Sequence, residues 1–241
     1  MNLNKLFLTE NNCYKAGKKI TVKGIMVHST GANNPWLKRY LPDDGRIGKN
    51  QYNNHWNTPL PGGKQVCVHG FIGKLADGTV ATYQTLPWNH RGWHAGGSAN
   101  NTHIGFEICE DGLADATYFK AVYKEAVELC AFLCKEYGLT EKNIICHSEG
   151  HKKGIASNHG DVMHWFPKHG KSMDTFRSDV AKLLKANSAT DELTTVNDIV
   201  WELAHRGIIT NKELWLKKLE EDSNSYWLAR KTANYLRQKN I

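Results

Sequence analysis

No apolar run in the 241-residue chain approaches the roughly 18 residues that a membrane-spanning helix needs, so no membrane partner is expected. Between Met1 and Thr9 there is one lysine, but no apolar stretch followed by a small-residue cleavage site. No secretory signal is therefore read. The expectation is a protein made in the cytoplasm, which would need another route to any target outside the membrane. None of the six cysteines forms a C-x-x-C pair. Cys130 and Cys134 lie one helical turn apart among apolar neighbours and are expected to face a core. Without a signal, reduced buried thiols are expected in place of disulfides. No internal repeat or low-complexity tract occurs. With 40% hydrophobic and 23% charged residues, the composition excludes disorder as the default.

The formal charge of +7 is unevenly placed. Residues 1–190 carry 23 Lys+Arg against 16 Asp+Glu, which gives +7; residues 191–241 carry eight of each, which gives zero. The basic excess suits an anionic partner such as a teichoic-acid-bearing wall, or is simply a solvated surface. A nucleic-acid partner is not expected, because a helical C-terminal part with no positive excess is a poor phosphate binder.

Periodicity divides the chain further. Lys19 to Val27 reads as a buried strand delivering His28 at its end. Asn33 to Asn57 is polar and aromatic, with a helix expected near Arg46 to Trp56. Val66–Ile72 and Thr79–Thr85, joined by the Asp77-Gly78 turn, read as a hairpin. His103–Cys109 is a further strand. From Ala114 to Tyr137, Phe119, Val122, Tyr123, Ala126, Val127, Cys130, Leu133 and Cys134 recur at helical spacing until Gly138. Asn143–Cys146 is a last strand running into His147; a long loop then reaches Lys171, and a helix follows from Met173 to Leu184. This order implies an α/β fold with a mixed central sheet flanked by helices. Three amphipathic segments (to His205, Asn211–Glu221 and Ser225–Gln238) imply a small C-terminal three-helix domain. The expected division is a catalytic domain over 1–187, a polar linker over 188–195 and a helical domain over 196–241.

Twelve histidines are many for this length. Zinc is held by neutral imidazoles, carboxylates or thiolates in a tetrahedron, with one position open when the site is catalytic. His28 and His147, each at the end of an apolar strand, suit that purpose because a sheet fixes their direction. His69 lies mid-strand and reads as a core residue or one supporting the site; His151, His169 and His205 read as surface residues.

Taken in order, "VHST" after an apolar strand, "GWHAGG" before "NTHIGFEI", and a later "CHSEGH", "NHGD" and "HWFP" resemble the N-acetylmuramoyl-L-alanine amidases of the bacteriophage-endolysin and peptidoglycan-recognition type. The resemblance covers roughly residues 20–185. It implies a zinc hydrolase cleaving the amide between muramic acid and L-alanine in peptidoglycan, with Zn2+ as cofactor and His28 and His147 as ligands. Glu149 stands in the place of the Asp of the family's His-x-Asp. The family's third ligand, a Cys or Asp ahead of a Pro-Gly pair, has no direct counterpart, since residues 155–157 are Ile-Ala-Ser and no Cys follows His147. His159 is the expected third ligand, with Asp161 and then His164 as alternatives. Glu107, in "IGFEI", falls where one enzyme branch carries a catalytic glutamate and is the expected general base. His94 and Trp93 fall where the family has a cleft wall and are expected to contact substrate. The family's oxyanion-stabilising lysine is replaced by Ser157, which leaves His94 or Lys153 for that role. The resemblance further implies an endolysin acting on a Gram-positive wall after release, with the C-terminal helices as a wall-binding module. The alternatives are a peptidoglycan-binding protein of the same fold without catalysis, or a host autolysin.

Overall fold

A computed structural model describes residues 1–189, 193 and 195–239. It divides into two compact units, Met1–Leu184 and Lys185–Ile241. The expected linker over 188–195 falls partly on the end of a helix and otherwise mostly outside the described residues.

The first unit is built on six strands: β1 (Leu3–Lys5), β2 (Gly24–Ser29), β3 (Gly70–Lys74), β4 (Val80–Gln84), β5 (His103–Ile108) and β6 (Ile144–Cys146). Their order in the sheet is β1-β4-β3-β5-β2-β6. The β3–β4 hairpin is antiparallel and every other pairing is parallel, so the sheet is mixed, as the alternation of elements implies. β2 lies between β5 and β6, and all six of its residues are buried. That explains its near-continuous apolar run, since a parallel strand covered on both faces has no solvent side to mark with polar residues.

One helix, α1 (Asn12–Ala16), precedes β2; α2 (Ala116–Tyr137), α3 (His147–Lys152) and α4 (Met173–Ala189) follow in order. Asp115 caps α2 by accepting from the N–H groups of Thr117 and Tyr118. The apolar stripe of α2 packs on the face of the sheet that carries Ile25, Val27, Ile104, Phe106 and Ile108. Alternation then turns Met26, His28, Gly105 and Glu107 to the opposite face. On that face Met26 packs with Ala95, Ala99 and Ile145, while Phe71 and Tyr83 pack with Leu37, Tyr40, Leu41 and Ile47.

Four expectations need correction. Residues 46–56 are not helical. There Asp43 accepts from the N–H groups of Gly45 and Gly48, and Asp44 from those of Arg46 and Ile47, so local side-chain bonds take the donors a helix would use. The segment after His147 is not all loop but opens with α3. Its Glu149 closes the first turn on the Cys146 N–H and holds Arg177 at 3.0 Å through both carboxylate oxygens. Cys13 and Cys67 form a disulfide, against the expectation of reduced thiols, while Cys109, Cys130, Cys134 and Cys146 are free and buried. The pair forms because Asn11 ties the start of α1 to the carbonyls of Trp56 and Val66, which brings Cys13 beside Cys67. Finally, His169 is no plain surface residue, since its ring stacks on Phe119 at 4.1 Å.

The second unit contains α5 (Val196–His205), α6 (Lys212–Glu221) and α7 (Ser223–Lys239). Its core is Leu193, Ile199, Val200, Leu203, Ile209, Leu219, Ala229 and Ala233. Trp227, Leu228 and Tyr235 on α7 remain more than half exposed.

Candidate metal centre and cleft

Register assembles the site. His28 on β2 pairs with Glu107 on β5, and Val27 pairs with Cys146 on β6, so His147, one residue beyond, comes alongside His28. Three chemistry-bearing residues thus collect at the carboxyl ends of three adjacent parallel strands, where open sheets place their sites. The cleft there is about 350 Å³ and is lined by His28, His94, Glu107, His147, His159, Asp161 and His164, together with Ser29–Gly31 and Gly160.

Asp161 enters from the loop after α3. Its Oδ2 lies 3.0 Å from Nδ1 of His28 and 3.7 Å from Nδ1 of His147, and the two histidine nitrogens are 3.1 Å apart. Zinc bound tetrahedrally at about 2.0–2.1 Å sets its ligand atoms about 3.3–3.4 Å apart. The three separations bracket that figure, and one ligand atom from each of these residues meets the others within 4.8 Å. Burial and the neighbouring His28 push the pKa of His147 down to about 4, so it is a neutral imidazole with a free lone pair at neutral pH. Burial tends to raise the pKa of Asp161, but the hydrogen bond and charge of His28 and the charge of His147 outweigh it and hold the carboxyl below its ordinary value. Two buried imidazoles and a carboxylate converging on one point fit a divalent cation.

His159, expected as the third ligand, stands on the far side of His147. Its Nδ1 lies 3.3 Å from Nε2 of His147, away from the nitrogen that faces His28 and Asp161. His164 is further off, with its Nε2–H donating to the buried Glu110 at 2.8 Å. The geometry therefore brings the alternative, Asp161, into the group.

Glu107 lies beside the cluster with its Oε2 buried and without a hydrogen-bond partner. Burial first, and then the charges of Asp161 and Glu110, raise its pKa well above the usual carboxylate range. His94 lines the deep side of the cleft, with Nδ1 2.9 Å from Nε2 of His28. Burial, reinforced by His28 and His69, holds its pKa well below the ordinary value. Trp93 does not line the cleft; its half-exposed ring lies under the Arg91 guanidinium at 4.5 Å. Lys153 lines a separate cavity with Lys142, Lys152 and Arg177. His69 is fully buried, as expected. Sequence reasoning missed the Glu110–His164 pair. Glu110 lies two residues beyond β5, and nothing in its spacing signals a partner 54 residues away.

Two histidines and a carboxylate thus stand at the carboxyl ends of central parallel strands, an arrangement able to hold a metal ion. Residues 18–164 match the N-acetylmuramoyl-L-alanine amidase family (Amidase_2), and the chain belongs to that family. It is 43% identical to the N-acetylmuramoyl-L-alanine amidase XlyA of Bacillus subtilis over 68 residues, which are 27% of this chain and 22% of that protein. It is 25% identical over 190 residues to a probable N-acetylmuramoyl-L-alanine amidase of Bacillus licheniformis, covering 74% of this chain and 47% of the relative. The chain thus spans less than half the length of either relative. Among solved structures, the Staphylococcus aureus hydrolase AmiA in complex with its ligand shares the fold at 18% identity and a TM-score of 0.56, covering 78% of this chain and 84% of its own. The catalytic domain of XlyA shares it at 22% identity and a TM-score of 0.54, covering 75% of this chain and 99% of its own.

Proposed function

We propose that the first unit hydrolyses the amide bond between N-acetylmuramic acid and L-alanine in peptidoglycan, using a zinc ion held by His28, His147 and Asp161. The observation that carries this reading is the convergence of those three ligand atoms beside Glu107 in a chain of the amidase family. When bound, zinc acts as a Lewis acid on the scissile carbonyl and on the attacking water.

The protein's own residues do the rest. Glu107, whose pKa burial raises well above the usual carboxylate range, takes a proton from water and returns it to the leaving amine of alanine. The buried sheet edge holds His28 and Glu107 in fixed register, so no reorganisation is needed as charge develops. No lysine or arginine lines the cleft among the described residues. With Asp161 as the third ligand, the position two residues before it, where the family carries its lysine, moves from Ser157 to His159, which like His164 is exposed on the cleft wall.

In this reading the second unit anchors the enzyme to the wall through the exposed aromatics of α7. The chain acts as a phage or prophage endolysin on a Gram-positive wall after release from the cytoplasm. The Cys13–Cys67 disulfide supports work outside a reducing compartment. The test is clearing of purified walls by metal-free protein with and without one equivalent of zinc. Zinc-restored clearing is expected; equal clearing by the metal-free protein contradicts the proposal.

A further inference from the structure

We propose that His94 is a positioning residue whose ring fixes His28 as its Nε2–H tautomer, so that Nδ1 of His28 is the atom presented to the metal. The proposal rests on the metal site proposed above. It replaces the expected substrate contact with a role behind the ligand.

From the His103 carbonyl outwards, the hydrogen bonds leave one assignment for the contact between the rings of His94 and His28. Nε2 of His94 lies 3.1 Å from the carbonyl oxygen of His103. A carbonyl only accepts, so Nε2 of His94 carries the hydrogen. A neutral imidazole has one N–H, which leaves Nδ1 of His94 as an acceptor. That Nδ1 is 2.9 Å from Nε2 of His28, so the hydrogen between the two rings belongs to His28. The remaining nitrogen of His28, Nδ1, is the one that meets Asp161 and His147 at 3.0 and 3.1 Å. Ligating histidines ordinarily give their second N–H to a carboxylate, a carbonyl or water. Here a carbonyl acts on the ligand through an intervening ring.

The surroundings of His94 are built for that ring. A Cβ on Gly105 would lie 2.4 Å from Nδ1 of His94, and one on Gly92 would lie 2.8 Å from its Cδ2. Both glycines belong to the "GWHAGG" and "NTHIGFEI" motifs, and so does the accepting carbonyl of His103. The buried Asn100 holds the loop from the other side, its Oδ1 accepting from the N–H groups of His94 and Ala95 at 2.8 and 2.9 Å. Behind His94, edge-on at 5.8 Å, stands His69. Its own tautomer is set by the Gly105 N–H, which donates to Nδ1, and by the His90 carbonyl, which accepts from Nε2–H at 2.7 Å. Two imidazoles, each held by its own backbone carbonyl, thus stand behind the ligand.

The experiment is ring 15N NMR of histidine-labelled, zinc-loaded protein, together with zinc affinity by chelator competition. In the wild type the hydrogens are expected on Nε2 of His28 and on Nε2 of His94. His94→Leu is expected to weaken zinc binding by about 10–100-fold. His94→Gln, whose amide can accept from His28 and donate to His103, is expected to restore most of the affinity. Wild-type spectra with the hydrogen on Nδ1 of either ring overturn the proposal, and this holds even if His94→Leu fails to fold. A folded His94→Leu protein with unchanged zinc affinity overturns it as well. A wild-type protein that takes up no zinc defeats the underlying metal reading instead, a result the other arms cannot produce.

Discussion

Glu107 sets two opposing demands on the fold. Its carboxyl is buried near Asp161 and Glu110, so the folded state resists its ionisation, yet the proposed chemistry needs its negative form. In metal-free protein this gives a signed prediction. A carboxyl raised in the folded state costs nothing below its unfolded pKa of about 4.3 and progressively more as pH climbs towards the folded value. Glu107→Gln should therefore match the wild type in Tm near pH 4 and exceed it increasingly as the pH rises above that; a constant difference would show that the buried charge is not the cause. The same substitution in zinc-loaded protein should lower kcat by about 10²–10⁴. At the metal, Asp161→Ala should reduce bound zinc from stoichiometric to trace, while His159→Ala should leave it stoichiometric, both read by elemental analysis. His28 and His147 were legible in the sequence because each ends an apolar strand. The third member of the group, Asp161, was not, because residues 153–171 have no period, and a choice among His159, Asp161 and His164 depends on how a loop returns to the sheet.

At the level of elements, register does the positioning. The pairing of His28 with Glu107 turns two distant motifs into one site, and the small residue at Gly105 leaves room for the imidazole behind it. Gly105→Ala should cost about 1–3 kcal/mol in stability by overpacking against His94, and should weaken zinc binding alongside. Chemical denaturation with and without zinc measures both; an unchanged protein would show that His94 has space to move. The Cys13–Cys67 link closes a loop of 54 residues, worth about 4 kcal/mol in the chain-entropy description. Cys13→Ser should accordingly lower the Tm, and added reductant should lower that of the wild type but not of the variant. The central strands and α2 follow from apolar runs and helical spacing. β1, with three residues, and α1, with five, are too short to show a period, and the disulfide joins segments with no common pattern.

The whole chain pairs a basic first unit with a near-neutral helical second one. Each was visible in the charge count, and both units have their own cores. A binding role for the second unit was not legible, because aromatics such as Trp215 and Tyr226 also pack against its own small core. Trp227, at 54% exposure, is the largest ring that the second unit leaves more than half exposed. Trp227→Ala should reduce retention on purified walls in a sedimentation assay without changing turnover of a soluble muramoyl-peptide. The central claim concerns a bond, and mass spectrometry of digested peptidoglycan tests it most directly. The account predicts stem peptides with new free N-terminal alanine, lost on chelation and recovered with zinc. New reducing sugar ends with no free alanine would contradict it.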